Sequence, residues 1–411
     1  MLPNQLDSWQ NNKITNNHNI YLDNNATTPM VDEVIAKMLE FATFPLNQSA
    51  VHQYGRTAQR LSYNSKMAIS NLLNANHYQI TFTSGATEAS NVIINGVINL
   101  FNIKTIFCSK IEHDAVFKVA KNFADSNKIS FIEIDVNDDG VIDIDDFTNK
   151  INIFTATKNH QAKNHQESNG NRFLVLAMLA NNETGAIQPV KEIAKITHRN
   201  GGMIYSDIVQ AVGKTSVDLE DLNLDFASIS AHKFYGPQGI GAIISRKGLD
   251  FEPLFFGGGQ ENFKRPGTQN QLSIIGFGVA ANLAERFIKS MPQIADCRNY
   301  FEDQLQKHIS CNDLKIFSKN VNRLDNTSYI AISNCNSQNL VIACDLAGIS
   351  ISSGSACSSG NVNSSRILQA MKVENKFLNS AIRISLGINN TKQQIDFLVN
   401  QLLKHYQSNN S

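Results

Sequence analysis

Two polar stretches that close apolar runs hold the residues best suited to covalent chemistry in this 411-residue chain. Ser206-Asp207 ends one run, and Ser230-Ala231-His232-Lys233 ends the next. A lysine leaving a buried strand among hydroxyl and imidazole groups suits an amine of lowered pKa that forms a Schiff base. An aspartate at the carboxyl end of a parallel strand suits the protonated nitrogen of an electron-sink ring. Taken singly, each also reads as an ordinary loop residue.

Three further stretches carry chemistry of other kinds. Ser84-Gly85-Ala86-Thr87-Glu88 joins a strand to a helix, so free backbone N–H groups at the positive end of the helix dipole stand beside two hydroxyls, an arrangement that accommodates phosphate. The same residues serve equally as a plain N-cap. Gly354-Ser355-Ala356-Cys357-Ser358-Ser359-Gly360 sets one cysteine among small polar neighbours, which favours an exposed, reactive thiol, with an inert loop thiol as the alternative. Arg383 alternates with apolar residues in Ile382-Arg383-Ile384-Ser385-Leu386-Gly387. An inward guanidinium there needs a carboxylate, from the protein or from a substrate.

The elements that must position these residues follow from apolar spacing. A short strand is expected at 20–22 and a helix at 30–39. Strands at 79–83, 105–108 and 130–134 alternate with helices at 86–100 and 115–125. Buried strands follow at 173–180, 203–206 and 226–230, the first two linked by a helix at 190–200. Unbroken apolar strands alternating with helices predict an α/β fold with a mainly parallel sheet covered on both faces. After the glycine-rich stretch 257–267 and a helix at 274–289, strands at 328–333 and 382–385 flank helices at 338–346 and 392–405, the rhythm of a second, α+β domain. The polar stretch 157–171, which includes His160 and His165, reads as a solvated surface loop rather than a metal site.

Composition narrows the function classes. Lys plus Arg and Asp plus Glu each total 36, which leaves no excess charge to draw the chain to nucleic acid or to an anionic membrane. With 42% hydrophobic and 18% charged residues the chain is globular, although asparagine makes up about an eighth of it, which we read as codon bias. The six cysteines form no C-x-x-C pair and no metal-ligand spacing, as expected of a reducing compartment. No basic and apolar leader opens the sequence, and no run approaches the length of a membrane span, so a cytoplasmic protein is expected.

Taken together, the motifs resemble those of the pyridoxal-phosphate-dependent cysteine desulfurases of the NifS/IscS type, within the class V aminotransferases. The resemblance runs from Tyr21 to about Leu403. It includes Tyr21 to Pro29, Asn47 to Gly55, Thr83 to Glu88, Glu112-His113, Asn181-Asn182-Glu183-Thr184-Gly185, and Asp207 with Gln210. It continues through Ser230 to Lys233, Tyr235-Gly236-Pro237, Gly257 to Glu261, Arg265-Pro266-Gly267-Thr268, Ser352 to Cys357, and Arg383.

The resemblance implies fold type I of the pyridoxal-phosphate enzymes, with a mainly parallel seven-stranded sheet. It implies a large domain at 31–289 and a smaller α+β domain from 1–30 and 290–411. Lys233 would form the Schiff base, Asp207 would pair with the pyridinium nitrogen, and His113 would stack on the ring and move protons. Asn182 and Gln210 would hydrogen-bond near the substrate and the ring oxygen. Ala86, Thr87, Ser230 and His232 would hold the phosphate, joined by Thr268 from the second subunit of a homodimer. Arg383 would clamp the substrate carboxylate, and Cys357 would accept sulfur as a persulfide. The expected reaction converts L-cysteine to L-alanine, with the sulfur destined for a protein acceptor in iron–sulfur cluster assembly or tRNA thiolation. Selenocysteine lyase or class V aminotransferase activity is the alternative. Two departures from the family pattern are the long polar stretch at 157–171 and the absence of a Glu-Pro pair near Asn363-Ser364. The end at Ser411, soon after the last predicted helix, is like the shorter NifS-like members, whose acceptors vary.

Overall fold

Strands built as unbroken apolar runs must be covered on both faces. The computed structural model, which describes residues 19–162, 172–354 and 365–410, has such a sheet at its centre. After a two-residue strand β1 (Ile20–Tyr21) come β2 (Tyr78–Thr83), β3 (Thr105–Ser109), β4 (Ser130–Ile134) and β5 (Phe173–Leu176). They are followed by β6 (Met203–Asp207), β7 (Phe226–Ser230) and β8 (Gly241–Arg246). The order across the seven-stranded sheet is β2-β8-β7-β6-β5-β3-β4. All neighbours pair in parallel except β8, which is antiparallel to both β7 and β2.

Period-two alternation sends each strand's residues to two different cores. On β5, Phe173 and Val175 join the core formed with the helices Gln53–Leu72, Ile144–Ala162 and Val190–Arg199. Leu174 and Leu176 join the other, formed with the helices Ala86–Leu100 and Asp114–Asn127. Because β8 is antiparallel to both its neighbours, β2 and β7 run alike, and Thr83 and Ser230 both stand opposite Gly241. The strand ends that carry the chemically interesting residues therefore share one edge.

A second sheet, antiparallel throughout, has the order β12-β13-β10-β9, with β9 at Leu314–Ile316 and β10 at Thr327–Ile332. The strand β11 (Ile349–Ser350) pairs with β1, whereas β12 (Ser352–Ser353) and β13 (Ala381–Ser385) belong to the sheet. Its core draws Ile330, Ile382 and Ile384 together with Leu340 of helix Ser337–Leu346 and Leu398 of helix Lys392–Asn410.

Three expectations are corrected. The helix expected to stop at Lys289 runs from Gln271 to His308 with Pro292 inside it. Proline ordinarily breaks a helix, but here each half is fastened to its own core, Phe277 and Phe287 to the first and Met291, Phe301 and Leu305 to the second. The strand expected at 173–180 ends at Leu176; burial continues through Ala180, so the apolar run is longer than the strand. Residues 157–162 of the expected surface loop continue the helix Ile144–Ala162, while 163–171 lie outside the described residues. Phe154, whose ring meets Phe107 and Phe173, is the last large apolar residue of that helix. Beyond it the backbone ladder goes on without the apolar periodicity that sequence reading depends on. Among the described residues no helix is long and apolar enough to cross a membrane.

A side chain at position 241 would collide with the sheet edge, since an added Cβ would lie 2.6 Å from the Ile229 carbonyl oxygen and 2.7 Å from the Gly85 Cα. Gly241→Ala is expected to cost about 1–3 kcal/mol of stability, read as a lower urea midpoint.

Candidate active site

A cavity of about 640 Å³ lies where the carboxyl ends of the parallel strands meet the loops that follow them. Nine residues singled out from the sequence line it: Ala86, Thr87, His113, Asn182, Asp207, Gln210, Ser230, His232 and Lys233. Lys233 closes the short turn Ala231–Lys233 after β7, and its Nζ donates to the carbonyl oxygens of Asn25 and Ala26, both at 2.7 Å. Asp207 is the last residue of β6, and its Oδ1 accepts from the Val209 N–H at 2.9 Å. His113 caps the helix Asp114–Asn127, with Nδ1 accepting from the Ala115 N–H at 3.1 Å.

Burial sets the charges of this group. Loss of water raises the Asp207 carboxyl above its ordinary range, against the opposing pull of His113, the Val209 N–H and Lys233. Burial lowers the His113 imidazole, against the pull of Asp207. Beside them stands Glu112, fully enclosed, its pKa pushed up to about 8 by burial and by the Asp207 charge. Two carboxyls sharing one desolvated space do not both ionise easily, so a neutral Glu112 favours an anionic Asp207.

Gly85, Ala86 and Thr87 form the amino end of the helix Ala86–Leu100, where backbone N–H groups face the cavity side of the dipole. Ser230 is close by, its Oγ 4.0 Å from where a Cβ on Gly85 would lie. The His232 ring meets Thr27, with Nδ1 3.2 Å from Oγ1, and burial followed by the Lys233 and Lys214 charges depresses its pKa to about 4. A neutral imidazole among hydroxyls and N–H groups is a donor set for an anion.

Several residues important to this geometry were given no role in the sequence reading. Asn25 accepts from Lys233 and Gln210 with its backbone carbonyl and from Lys214 with its side chain. Lys214, buried and lowered well below the lysine range by desolvation and then by the Lys233 charge, also donates to Gln210 Oε1. Its place four residues after Gln210, about one helical turn, was the available signal. Glu88, at the rim of the cavity, is held by Arg265 through Nε at 2.8 Å.

Arg383 is buried on β13 and is not among the cavity-lining residues. Its guanidinium donates to the Asn182 carbonyl at 3.0 Å and to Asp23 at 2.7 Å, so a protein carboxylate meets the need its strand position implied. Its Nε and the Asn182 Oδ1 have no hydrogen-bond partner among the described residues. Thr268 is exposed and stands apart from the cavity. Cys357 lies outside the described residues.

Comparison with known proteins identifies the family and the fold. Residues 20–398 match the family described as Aminotransferase class-V. The cysteine desulfurase IscS of Dictyoglomus turgidum is 34% identical over 387 residues, 93% of this chain and 93% of its own. A cysteine desulfurase of Cereibacter sphaeroides is 35% identical over 388 residues, 93% of this chain and 94% of its own. The X-ray structure of a NifS-like protein from Rickettsia africae superposes with a TM-score of 0.82 at 33% identity, covering 95% of this chain and 100% of that one.

The Glu112 environment yields a pH prediction. Its folded pKa of about 8 lies above the ordinary 4.5, so the folded state binds the extra proton between these values and stability is lost as pH rises through that window. In cofactor-free protein Glu112→Gln is expected to flatten this fall, measured by urea unfolding at pH 5 and pH 8.

Proposed function

The chain belongs to the class V aminotransferase family, and from that premise we propose that it is a pyridoxal-phosphate-dependent cysteine desulfurase that passes sulfur from L-cysteine to Cys357. The observation that carries the reading is the convergence of Lys233, Asp207, His113 and the helix end at Gly85 to Thr87 on one cavity. In this reading residues 31–289 form the cofactor-binding domain, and 1–30 with 290–411 form the smaller one.

The residues present fit pyridoxal phosphate. Asp207 is a carboxyl that has lost water. A protonated ring nitrogen is the cation that would compensate it. Asn182 lines the cavity, and its Oδ1 is buried without a hydrogen-bond partner among the described residues. Ala86, Thr87, Ser230 and His232 would hold the phosphate, Gln210 and Asn182 the ring oxygen and substrate, and His113 the ring face. The bound cofactor supplies an electron sink for charge left on the substrate Cα.

The chain's own residues do the rest. Lys233 is the base that takes the Cα proton. Asp207 would hold a proton on the ring nitrogen, and that cation would favour its ionised form against the burial that raises its pKa. His113, its pKa lowered by burial, is a neutral imidazole able to move a proton. Arg383 would clamp the substrate carboxylate, exchanging for it the Asp23 carboxylate that it binds here. The Cys357 thiolate attacks the sulfur of the substrate, whose Cβ–S bond breaks with its electron pair left on carbon. That carbon takes a proton and the new S–S bond uses the thiolate pair. L-cysteine and one thiol therefore become L-alanine and one persulfide, with no outside oxidant. Among the described cysteines, Cys108 and Cys344 are buried with pKa values raised by desolvation, which leaves them poor nucleophiles.

We read the working unit as a homodimer in the cytoplasm. Tyr54 and Tyr63 are exposed on the helix Gln53–Leu72, and Phe255, Phe256 and Phe263 are exposed on the loop before Thr268. Lys66 ties that helix to the loop through Glu261 at 2.8 Å, and a second copy would cover exposed apolar side chains of both elements. Thr268 would reach the partner's phosphate site from there. The sulfur then passes to an acceptor protein of iron–sulfur cluster assembly or tRNA thiolation.

The test is an assay with L-cysteine that follows alanine and sulfide. Lys233→Ala is expected to lose the Schiff-base absorbance and to lower turnover at least about 10²-fold. Cys357→Ser should keep the absorbance and lose both products; turnover equal to wild type would replace this reading with a lyase or an aminotransferase.

A further inference from the structure

We infer that Glu183 is a positioning residue for sulfur transfer, its carboxylate tying together the two ends of the segment that carries Cys357. The inference rests on the reading of Cys357 as the sulfur acceptor. Glu183 follows Asn182 directly, so the same short turn that lines the cavity also presents this carboxylate.

At the far end of the segment, Ser365 donates from Oγ to Glu183 Oε2 at 2.7 Å. The Ser365 Oγ also accepts from the Ile367 N–H at 3.2 Å and caps the helix Arg366–Ala370, so the serine is held from two sides. At the near end, the Tyr329 hydroxyl donates to the same Glu183 oxygen at 3.0 Å. That hydroxyl lies against Gly354, where an added Cβ would come within 1.7 Å of it. Gly354 is further fastened by its N–H to the Ala381 carbonyl at 3.3 Å. Ser365 and the Tyr329 hydroxyl that Gly354 packs against are therefore joined through one carboxylate oxygen. A thiol that must meet the substrate sulfur depends on where both ends of its segment are held, because reactive geometry is lost with displacements of about 1 Å.

The carboxylate form accepts both hydrogen bonds more strongly than the acid. Four groups face it. Tyr329 and Ser365 donate to it, and Arg383 of β13 and Arg366 of the capped helix supply positive charge. Burial outweighs all of these and pushes the Glu183 pKa up to about 7, which puts the change of form near neutrality. The hold on the two ends thus strengthens as pH rises through that region.

The experiment uses cofactor-loaded enzyme mixed with L-cysteine. It follows the cysteine-induced absorbance change and, by mass spectrometry of the quenched protein, the persulfide on Cys357. Tyr329→Phe removes one donor and little else, and Glu183→Ala removes the acceptor. Each is expected to leave the absorbance change at its wild-type rate and to slow persulfide formation, by about tenfold or more for Glu183→Ala. Glu183→Gln keeps an oxygen for both donors, so it should recover most of the rate and lack the rise near pH 7 that wild type shows. Equal persulfide rates and pH profiles in wild type and all three variants would overturn the inference and leave the proposed function standing. So would a loss of absorbance change and persulfide together, which marks general damage to the site. Wild type that forms no persulfide on Cys357 overturns the proposed function, and this inference with it.

Discussion

The site depends on one buried asparagine. Asn25 is 1% exposed and hydrogen-bonds with every polar group it has. Its N–H donates to Ser385 Oγ, and its side-chain amide donates to Thr327 and to the Asn182 carbonyl. Its side-chain oxygen accepts from Lys214 and Asn326, and its backbone carbonyl accepts from Gln210 and Lys233. These partners come from the antiparallel sheet, from Asn326 just before it, and from the loops after β5, β6 and β7 of the larger sheet. Each bond is worth only about 0.5–1.5 kcal/mol net, but a buried group left unpaired costs about 1–3 kcal/mol, so the knot tolerates no partial assembly. Lys233, the lysine proposed to form the Schiff base, is thereby aimed by a residue of the amino-terminal segment, more than two hundred positions earlier in the chain.

Desolvation then assigns the charges. Asp207, Glu112 and Glu183 are three carboxyls enclosed at the same end of the fold, all raised by burial. They differ in what opposes that rise. Asp207 has His113 and Lys233 nearby, Glu183 has two hydroxyl donors and two arginines, and Glu112 has the Met178 N–H and, more distantly, Arg366. The different extents to which Glu112, Asp207 and Glu183 are raised follow from these surroundings rather than from the residue type.

Much of this was legible along the chain. The parallel strands showed themselves as apolar runs because both their faces are covered, and the helix Ala86–Leu100 and the strand Phe226–Ser230 have the limits their spacing predicts. Lys233, Asp207 and the Gly85 turn stood out because strand ends of a parallel sheet are where backbone and side chain meet a ligand. Lys214 stayed hidden because a buried lysine and an exposed one look alike in a sequence, and only its bonds to Gln210 and Asn25 separate them. The long helix through Pro292 stayed hidden because the local rule against proline is overruled by packing on two separate cores.

What the sequence determined by itself is therefore local and chemical: residue types at element ends, the period of each element, and motifs dense enough to resemble one enzyme family. What only the tertiary structure decided is proximity and protonation. Asn25 meets Lys233, and Glu183 meets Tyr329 and Ser365, across separations that no periodicity spans. The same folding that joins them removes water from their charges, and a pKa depends on that removal more than on the residue's identity.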